Sequence, residues 1–275
     1  MIVNKKLSII LAILYGIIVI GLIVGLVLLI SSDFNFKNFG GGSLKLIDNK
    51  EFEKINNLNI NVKTADVYIK TSSDEKVKVE VYSAREEKST ITNTDESLNI
   101  TLDQGVCSFF CWFRKNSKIN VYLPSNYANE ITVKATTGDI EVDDFALSNA
   151  NLTVTTGDIK LGNIKDASIK ATTGDIYVSS VNDITASLST GDVVIDKINN
   201  YLNLSTSTGD ITISSANLNK NSEISTSTGD VKISRLNDIY VDAKTSTGDT
   251  RINDNNRKSD IELKVKTSTG DINVN

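Results

Sequence analysis

The sequence predicts an all-β fold: a β-solenoid of stacked coils of 17–22 residues, preceded by one N-terminal transmembrane helix. Three observations predict it. Eight times between residues 136 and 271 the chain places Ser or Thr, then Thr, Gly and Asp. Apolar residues alternate with polar ones on both sides of each tetrapeptide. A 24-residue uncharged stretch, Leu7 to Ile30, stands near the start.

The first six residues carry Lys5 and Lys6. Residues 7–30 follow; as a helix they span about 36 Å, enough for a hydrocarbon core of about 30 Å. The lysines before it and Ser31, Ser32 and Asp33 after it put the N-terminus in the cytoplasm and residues 31–275 outside. A cleaved signal peptide has a shorter apolar core and a small-residue cleavage site, and no Ala-x-Ala follows here. The expectation is a single-pass cell-membrane protein with an extracytoplasmic C-terminal domain.

Residues 31–50 read as a stalk, with Phe34, Phe36 and Phe39 at interface depth and a flexible Gly40–Gly42 hinge. Residues 51–130 read as atypical N-terminal coils and a cap. Asn59 to Lys70 looks like a degenerate repeat in which Thr64-Ala65-Asp66 replaces Thr-Gly-Asp. Val77–Tyr82, Leu98–Leu102 and Ile119–Leu123 are further strand candidates.

Residues 131–275 are the regular repeats. Their glycines, Gly138, Gly157, Gly174, Gly191, Gly209, Gly229, Gly248 and Gly270, are spaced by 19, 17, 17, 18, 20, 19 and 22 residues. A near-fixed period of this size marks a stacked repeat, in which one coil cannot bury its own inner face. A β-sandwich does not repeat a tetrapeptide at equal spacing. Four residues before each motif Thr lie Val133, Leu152, Ile169, Ala186, Leu204, Ile224, Ala243 and Val265. Directly after the Asp lie Ile140, Ile159, Ile176, Val193, Ile211, Val231, Thr250 and Ile272. A third column, Phe145, Ile164, Val181, Ile198, Ala216 and Leu236, suggests a second corner or a short third side. Gly at the turn implies positive φ or close backbone approach. The Thr before it has inward parity, which predicts a hydroxyl ladder inside the corner.

The sharpest site candidate is the aspartate column: Asp139, Asp158, Asp175, Asp192, Asp210, Asp230, Asp249 and Asp271. In register these stack at about 4.8 Å. Three readings are open. Each Asp bonds its own turn backbone, the column recruits Ca²⁺, or it binds a cationic polymer or peptide. The first is favoured, so no metal or other cofactor is expected; Ca²⁺ roll repeats carry more Gly and Asp per turn.

Val106 to Arg114 (VCSFFCWFR) concentrates Phe109, Phe110, Trp112 and Phe113. It reads either as a cap over the N-terminal end or as an exposed tip that touches a bilayer or a protein. Cys107 and Cys111 are the only cysteines; outside the cytoplasm they are candidates for a disulfide.

The chain carries 29 basic and 34 acidic residues; setting aside Lys5 and Lys6 leaves a net of −7 outside. No basic stripe of a nucleic-acid binder is present. There is no His, which removes Ser-His and Cys-His nucleophile pairs and His-based metal sites. The outward positions after the motif, among them Glu141, Lys160, Tyr177, Lys232 and Arg251, form a mixed solvated face with no catalytic constellation.

Strand, Thr64-Ala65-Asp66, strand, then Val121-Tyr122-Leu123-Pro124 and serial Ser/Thr-Thr-Gly-Asp-Ile repeats resemble the bacterial β-strand-repeat family labelled "putative adhesin", a domain of unknown function. The resemblance covers about residues 50–275. It implies an envelope protein often found near cell-envelope stress regulators, and it supplies no catalytic residues. The expectation is a non-enzymatic extracytoplasmic surface-binding module for an envelope protein or glycan. The alternative is a structural spacer or assembly protein docking through the solenoid end.

The last strand candidate, Ile272 to Val274, stands at the C-terminus and is expected to be an uncovered edge that supports weak self-association. The charged loop before it, Asp254 to Asp260, reads either as a device that blunts stacking or as the rim of a docking site.

Overall fold

The computed structural model describes residues 43–84, 87–94, 97–103, 116–253 and 255–275, with Tyr15 and Val19 alone before them. Apart from those two residues, the expected membrane helix over Leu7–Ile30 lies outside the described residues. Among the described residues no helix is long and apolar enough to cross a membrane. The chain divides into two units, and the architecture here is that of the larger, Ser43–Cys111 with Lys115–Asn275.

Alternating patterns give strands throughout. The N-terminal part holds β1 (Lys45–Phe52), β2 (Asn57–Ser72), β3 (Val77–Ser83), β4 (Lys88–Asn93), β5 (Ser97–Asp103) and β6 (Ser117–Pro124). The repeats hold β7 (Ile131–Thr137), β8 (Ile140–Val142), β9 (Ala150–Thr156), β10 (Ile159–Thr173), β11 (Ile176–Thr190), β12 (Val193–Thr208) and β13 (Ile211–Ala216). They continue with β14 (Ser222–Thr228), β15 (Val231–Ile233), β16 (Tyr240–Thr247), β17 (Thr250–Ile252), β18 (Glu262–Thr269) and β19 (Ile272–Val274). The stretch read as stalk therefore ends earlier than expected: residues 45–50 belong to β1, which pairs antiparallel with β3.

The repeats stack in parallel, motif on motif. Ile159 lies beside Ile176 and Ile169 beside Ala186; the next coil sets Val193 beside Ile176 and Leu204 beside Ala186. The two apolar columns flanking the motif are buried in every coil except that of Gly248. The third column closes the core: Phe145, Ile164, Val181, Ile198 and Ala216 are buried, and Leu236 is partly so. It is a third side of the coil, since Ile164, Val181, Ile198 and Ala216 pair in sequence along it. Apolar burial is worth about 25 cal/mol per Å², and here it accrues only between coils.

The degenerate repeat is a true coil. β2 pairs with β7 and β8, placing Ala65 beneath the Gly138 corner. On its other side β2 pairs in parallel with β5 and β6. Beyond these the direction of pairing changes: β4 runs antiparallel to β5, and β3 antiparallel to β6. Antiparallel strands therefore close the N-terminal end.

The other end departs from the sequence order. β14 and β15, of the Gly229 coil, pair with β18 and β19 of the Gly270 coil. The Gly270 coil in turn pairs with β16 and β17 of the Gly248 coil. The last coil in sequence is thus inserted between the sixth and the seventh. This corrects the expectation of a free C-terminal strand: β19 has a neighbour on both sides, and the Gly248 coil ends the stack. The cause is legible in side chains. Thr250 and Ala243 stand where other coils carry Ile, Val or Leu, or Ala186 once, and a coil with a small, polar inner face is best placed where one side meets water. Thr250 is exposed, and Ala243 and Ile252 are only partly buried.

Candidate binding surfaces

The Thr-Gly-Asp corner is built by backbone geometry first. All eight motif glycines have φ between 131° and 145°. A Cβ on Gly191 would lie 2.1 Å from the Gly174 carbonyl oxygen, so the coils meet closer than any side chain permits. The motif Thr does not point inward as parity suggests. Thr156, Thr173, Thr190, Thr208, Thr228, Thr247 and Thr269 are exposed, because the chain bends at the following Gly and the strand alternation ends there. An inner hydroxyl ladder sits two residues earlier, in the last four motifs only, at Thr206, Thr226, Thr245 and Thr267. Thr245 Oγ1 donates to Gly270 O at 2.9 Å, and Thr267 Oγ1 donates to Gly229 O at 3.2 Å.

The aspartates are used between coils, not within their own turns. The Asp158 N–H donates to Asp139 Oδ1 at 2.9 Å, and Asp175 to Asp158, Asp192 to Asp175, Asp210 to Asp192 and Asp230 to Asp210 at 2.8 Å each. Asp66 of the degenerate coil starts the ladder, accepting from Asp139 N at 3.2 Å and from Asn116 Nδ2 at 3.0 Å. Meanwhile the Gly191 N–H donates to Thr208 O and the Val193 N–H to Asp210 O. The carboxylate thus satisfies the one N–H of the corner that points back toward the preceding coil, and charge-assisted bonds of this kind are the stronger ones. Among the described residues no group of three or more His, Cys, Asp or Glu is placed to hold a metal ion.

The aromatic block lies outside the described residues, with Cys107, Phe109, Phe110, Cys111, Trp112 and Phe113. It connects β5 to β6.

Sequence reasoning missed a cluster on the outer wall of β2, β6 and β3. Cross-strand register sets Tyr68 beside Asn120 and Asn120 beside Glu80, Lys70 beside Tyr122 and Tyr122 beside Lys78. Glu80 is the hub. Lys78 Nζ lies 2.7 Å from its carboxylate, and the Tyr82 and Tyr122 hydroxyls donate to Oε2 at 2.9 and 3.4 Å. Lys78 holds the Glu80 carboxyl below its usual range; burial opposes this, and Tyr82 and Asn120 assist it. Burial, then Glu80, pushes the Tyr122 hydroxyl upward. Lys118 Nζ sits 4.1 Å from the Tyr68 ring centroid and Lys78 Nζ 5.9 Å from that of Tyr122, both cation–π contacts. Asn120 is 6% exposed, and its Oδ1 has no hydrogen-bond partner among the described residues. Beside Tyr122 a cleft of about 550 Å³ opens among Glu51, Asp74, Lys76 and Glu80. The signal was present as outward positions in three strands; what was missing was which strands are neighbours.

Among solved structures, one described as a putative adhesin from Bacteroides fragilis is 17% identical, with a TM-score of 0.50, covering 86% of this chain and 99% of its own. A putative cell adhesion protein from Clostridium sporogenes is 14% identical, with a TM-score of 0.37, over 84% of this chain and 99% of its own. A putative lipid binding protein from Parabacteroides distasonis is 12% identical, with a TM-score of 0.44, over 83% and 96%. At these identities the likeness concerns the fold alone. No curated protein matches the chain. The serial corner, its degenerate first coil and the match over residues 55–275 agree: the chain belongs to the Toastrack DUF4097 family, a domain of unknown function.

Proposed function

We propose that this protein is a non-enzymatic surface-binding module, adhesin-like, held outside the cell membrane by residues 7–30. The observation that carries the reading is the wall of β2, β6 and β3. Tyr68, Tyr82 and Tyr122 stand half-buried on one outward face, interleaved with Lys70, Lys78 and Lys118. Tyrosines that combine a flat apolar ring with a polar tip are favoured at binding surfaces. Their hydroxyls are tied to Glu80, so Tyr82 and Tyr122 are held in place before a ligand arrives, which lowers the ordering cost of binding. The Asp column supports the non-enzymatic part of the reading, because its carboxylates are engaged in joining coils. The fold-level likeness to one structure described as a putative adhesin agrees with it.

The ligand proposed is an envelope glycan or an envelope protein. The test is capture from cross-linked native membranes in parallel with a glycan array, using the wild type and a Tyr68→Ala/Tyr122→Ala variant. Loss of the captured species in the variant supports the reading. Equal capture by both moves the binding face elsewhere. Protease added to intact protoplasts tests the location: digestion beyond about residue 31 is expected, and protection of the C-terminal domain overturns the N-in arrangement.

A further inference from the structure

We propose that β16 and β17, with Asn255 and Asn256 folded over them, form a built-in cap that keeps a second copy of this chain from adding a strand to this end of the stack.

A strand at the end of a sheet offers unpaired N–H and C=O groups to any other strand. Among the described residues β16 pairs only with β18, and β17 only with β19. Along β16 the backbone groups alternate in direction. Tyr240 donates its N–H to Ile261 O, toward the stack, so those of Val241 face the free side. There the Asn255 carboxamide takes both: the Val241 N–H donates to Asn255 Oδ1 at 2.9 Å, and Asn255 Nδ2 donates to Val241 O at 3.0 Å. One residue on, the Asn256 N–H donates to Ile239 O at 3.2 Å. A side chain thus mimics the peptide group that a further coil would bring, and its loop occupies the start of that coil's path.

The inner face of the cap is also unsuited to a further coil. Ala243 replaces the Val265 and Ile224 of the coils beneath, and Thr250 replaces Ile272 and Val231. Docking would bury the Thr250 hydroxyl for little apolar gain. Exposed Arg251 stands beside the edge, and two copies meeting there bring like charges together, whereas Lys244 is already paired with Asp242 at 3.0 Å. The edge beneath has the opposite character: Leu263, Val265, Ile272 and Val274 are at most 1% exposed under the cap. Uncovered, it is an apolar and unpaired template, and a second copy carries the same edge for isologous pairing.

The test uses the full chain in detergent, with Cys107→Ser and Cys111→Ser and one reporter, Ser246→Cys, on β16. A Ser187→Cys chain reports chance collision at mid-stack. Oxidative cross-linking is compared between the intact edge and one opened by Asn255→Ala, Thr250→Ile and Ala243→Val. The intact edge should give no more covalent dimer than the mid-stack control, and the opened edge several-fold more. Should the triple variant lose cooperative melting, Asn255→Ala alone carries the comparison. Equal dimer from intact and opened edges, or an intact edge that already exceeds the control, overturns the proposal.

Discussion

The Asp271 backbone N–H donates to the Asp230 carboxylate at 2.7 Å, across 41 positions of chain. In the other coils the same bond joins consecutive motifs; here it passes over the Gly248 motif, whose Asp249 N–H then donates to Asp271 Oδ1 at 2.8 Å. The seven corners with a coil on each side share one set of contacts, so the corner does not choose its neighbour. The choice falls to the inner face. In the sequential order Thr250 would stand between Val231 and Ile272, and burying an unpaired hydroxyl costs about 1–3 kcal/mol.

The order is open to direct measurement. In a chain with Cys107→Ser and Cys111→Ser, cysteines replacing Ser225 and Lys266 lie on paired strands, about 4.8 Å apart, within disulfide reach. Cysteines replacing Ser225 and Lys244 lie two spacings apart, about 9.6 Å, out of reach. The first pair should form an intramolecular disulfide and the second should not. Efficient cross-linking of the second pair alone would show that the coils stack in sequence order.

At the corner, Gly191→Ala should destabilise by more than about 2 kcal/mol, through both positive φ and collision with the coil below. The φ there is 136°, and the nearest atom to an added Cβ is Gly174 O at 2.1 Å. Lys170→Ala, on the exposed outer face, should stay within about 0.5 kcal/mol. Denaturant midpoints of the two variants check this, and equal losses would contradict the register.

Period-two columns and a near-fixed glycine spacing carry the coil and its inner faces; the third column fits a second corner or a short third side equally, and only the pairing of Ile164, Val181, Ile198 and Ala216 decides for the side. Thr64-Ala65-Asp66 was legible as a degenerate repeat because its flanks keep the alternation. The side chain of the motif Thr was not, because parity holds only while the strand is straight, and Gly ends it. The coil order escaped as well. Thr250 breaks its column in plain view, and a polar residue in an inner column signals an end of the stack, but sequence order alone puts that end at Ile272–Val274. The Glu80 cluster needed the pairing of β3 with β6, which depends on contacts distant in sequence.

The Asp ladder makes a separable prediction. Asp192→Asn keeps an acceptor for the Asp210 N–H and relieves repulsion between carboxylates spaced about 4.8 Å apart, worth roughly 1 kcal/mol in water. Asp192→Ala removes the acceptor and should cost about 0.5–1.5 kcal/mol. Thermal melts should therefore place Asn at or near wild type and Ala below it. Millimolar Ca²⁺ should move the wild-type melting temperature little. A large rise that Asp192→Asn abolishes would instead assign the column to a metal.

Glu80 gives the fold a pH dependence of predictable sign. Its carboxyl is held below its usual range, chiefly by Lys78. A carboxyl with a depressed folded pKa stabilises fully above its unfolded pKa, about 4.3, and that contribution is lost as pH falls through the folded value. Glu80→Gln cannot ionise, so it lacks the contribution at every pH. At neutral pH the variant should be less stable by about 1 kcal/mol, since Lys78 is partly exposed and the pair is screened. The gap should narrow as pH drops below about 4, where the wild type protonates and Lys78 loses its partner in both proteins. Urea midpoints measured across that range decide it. A gap that stays constant from neutral to strongly acid pH would mean that the Tyr82 and Tyr122 hydroxyls, not the charge, hold this wall together.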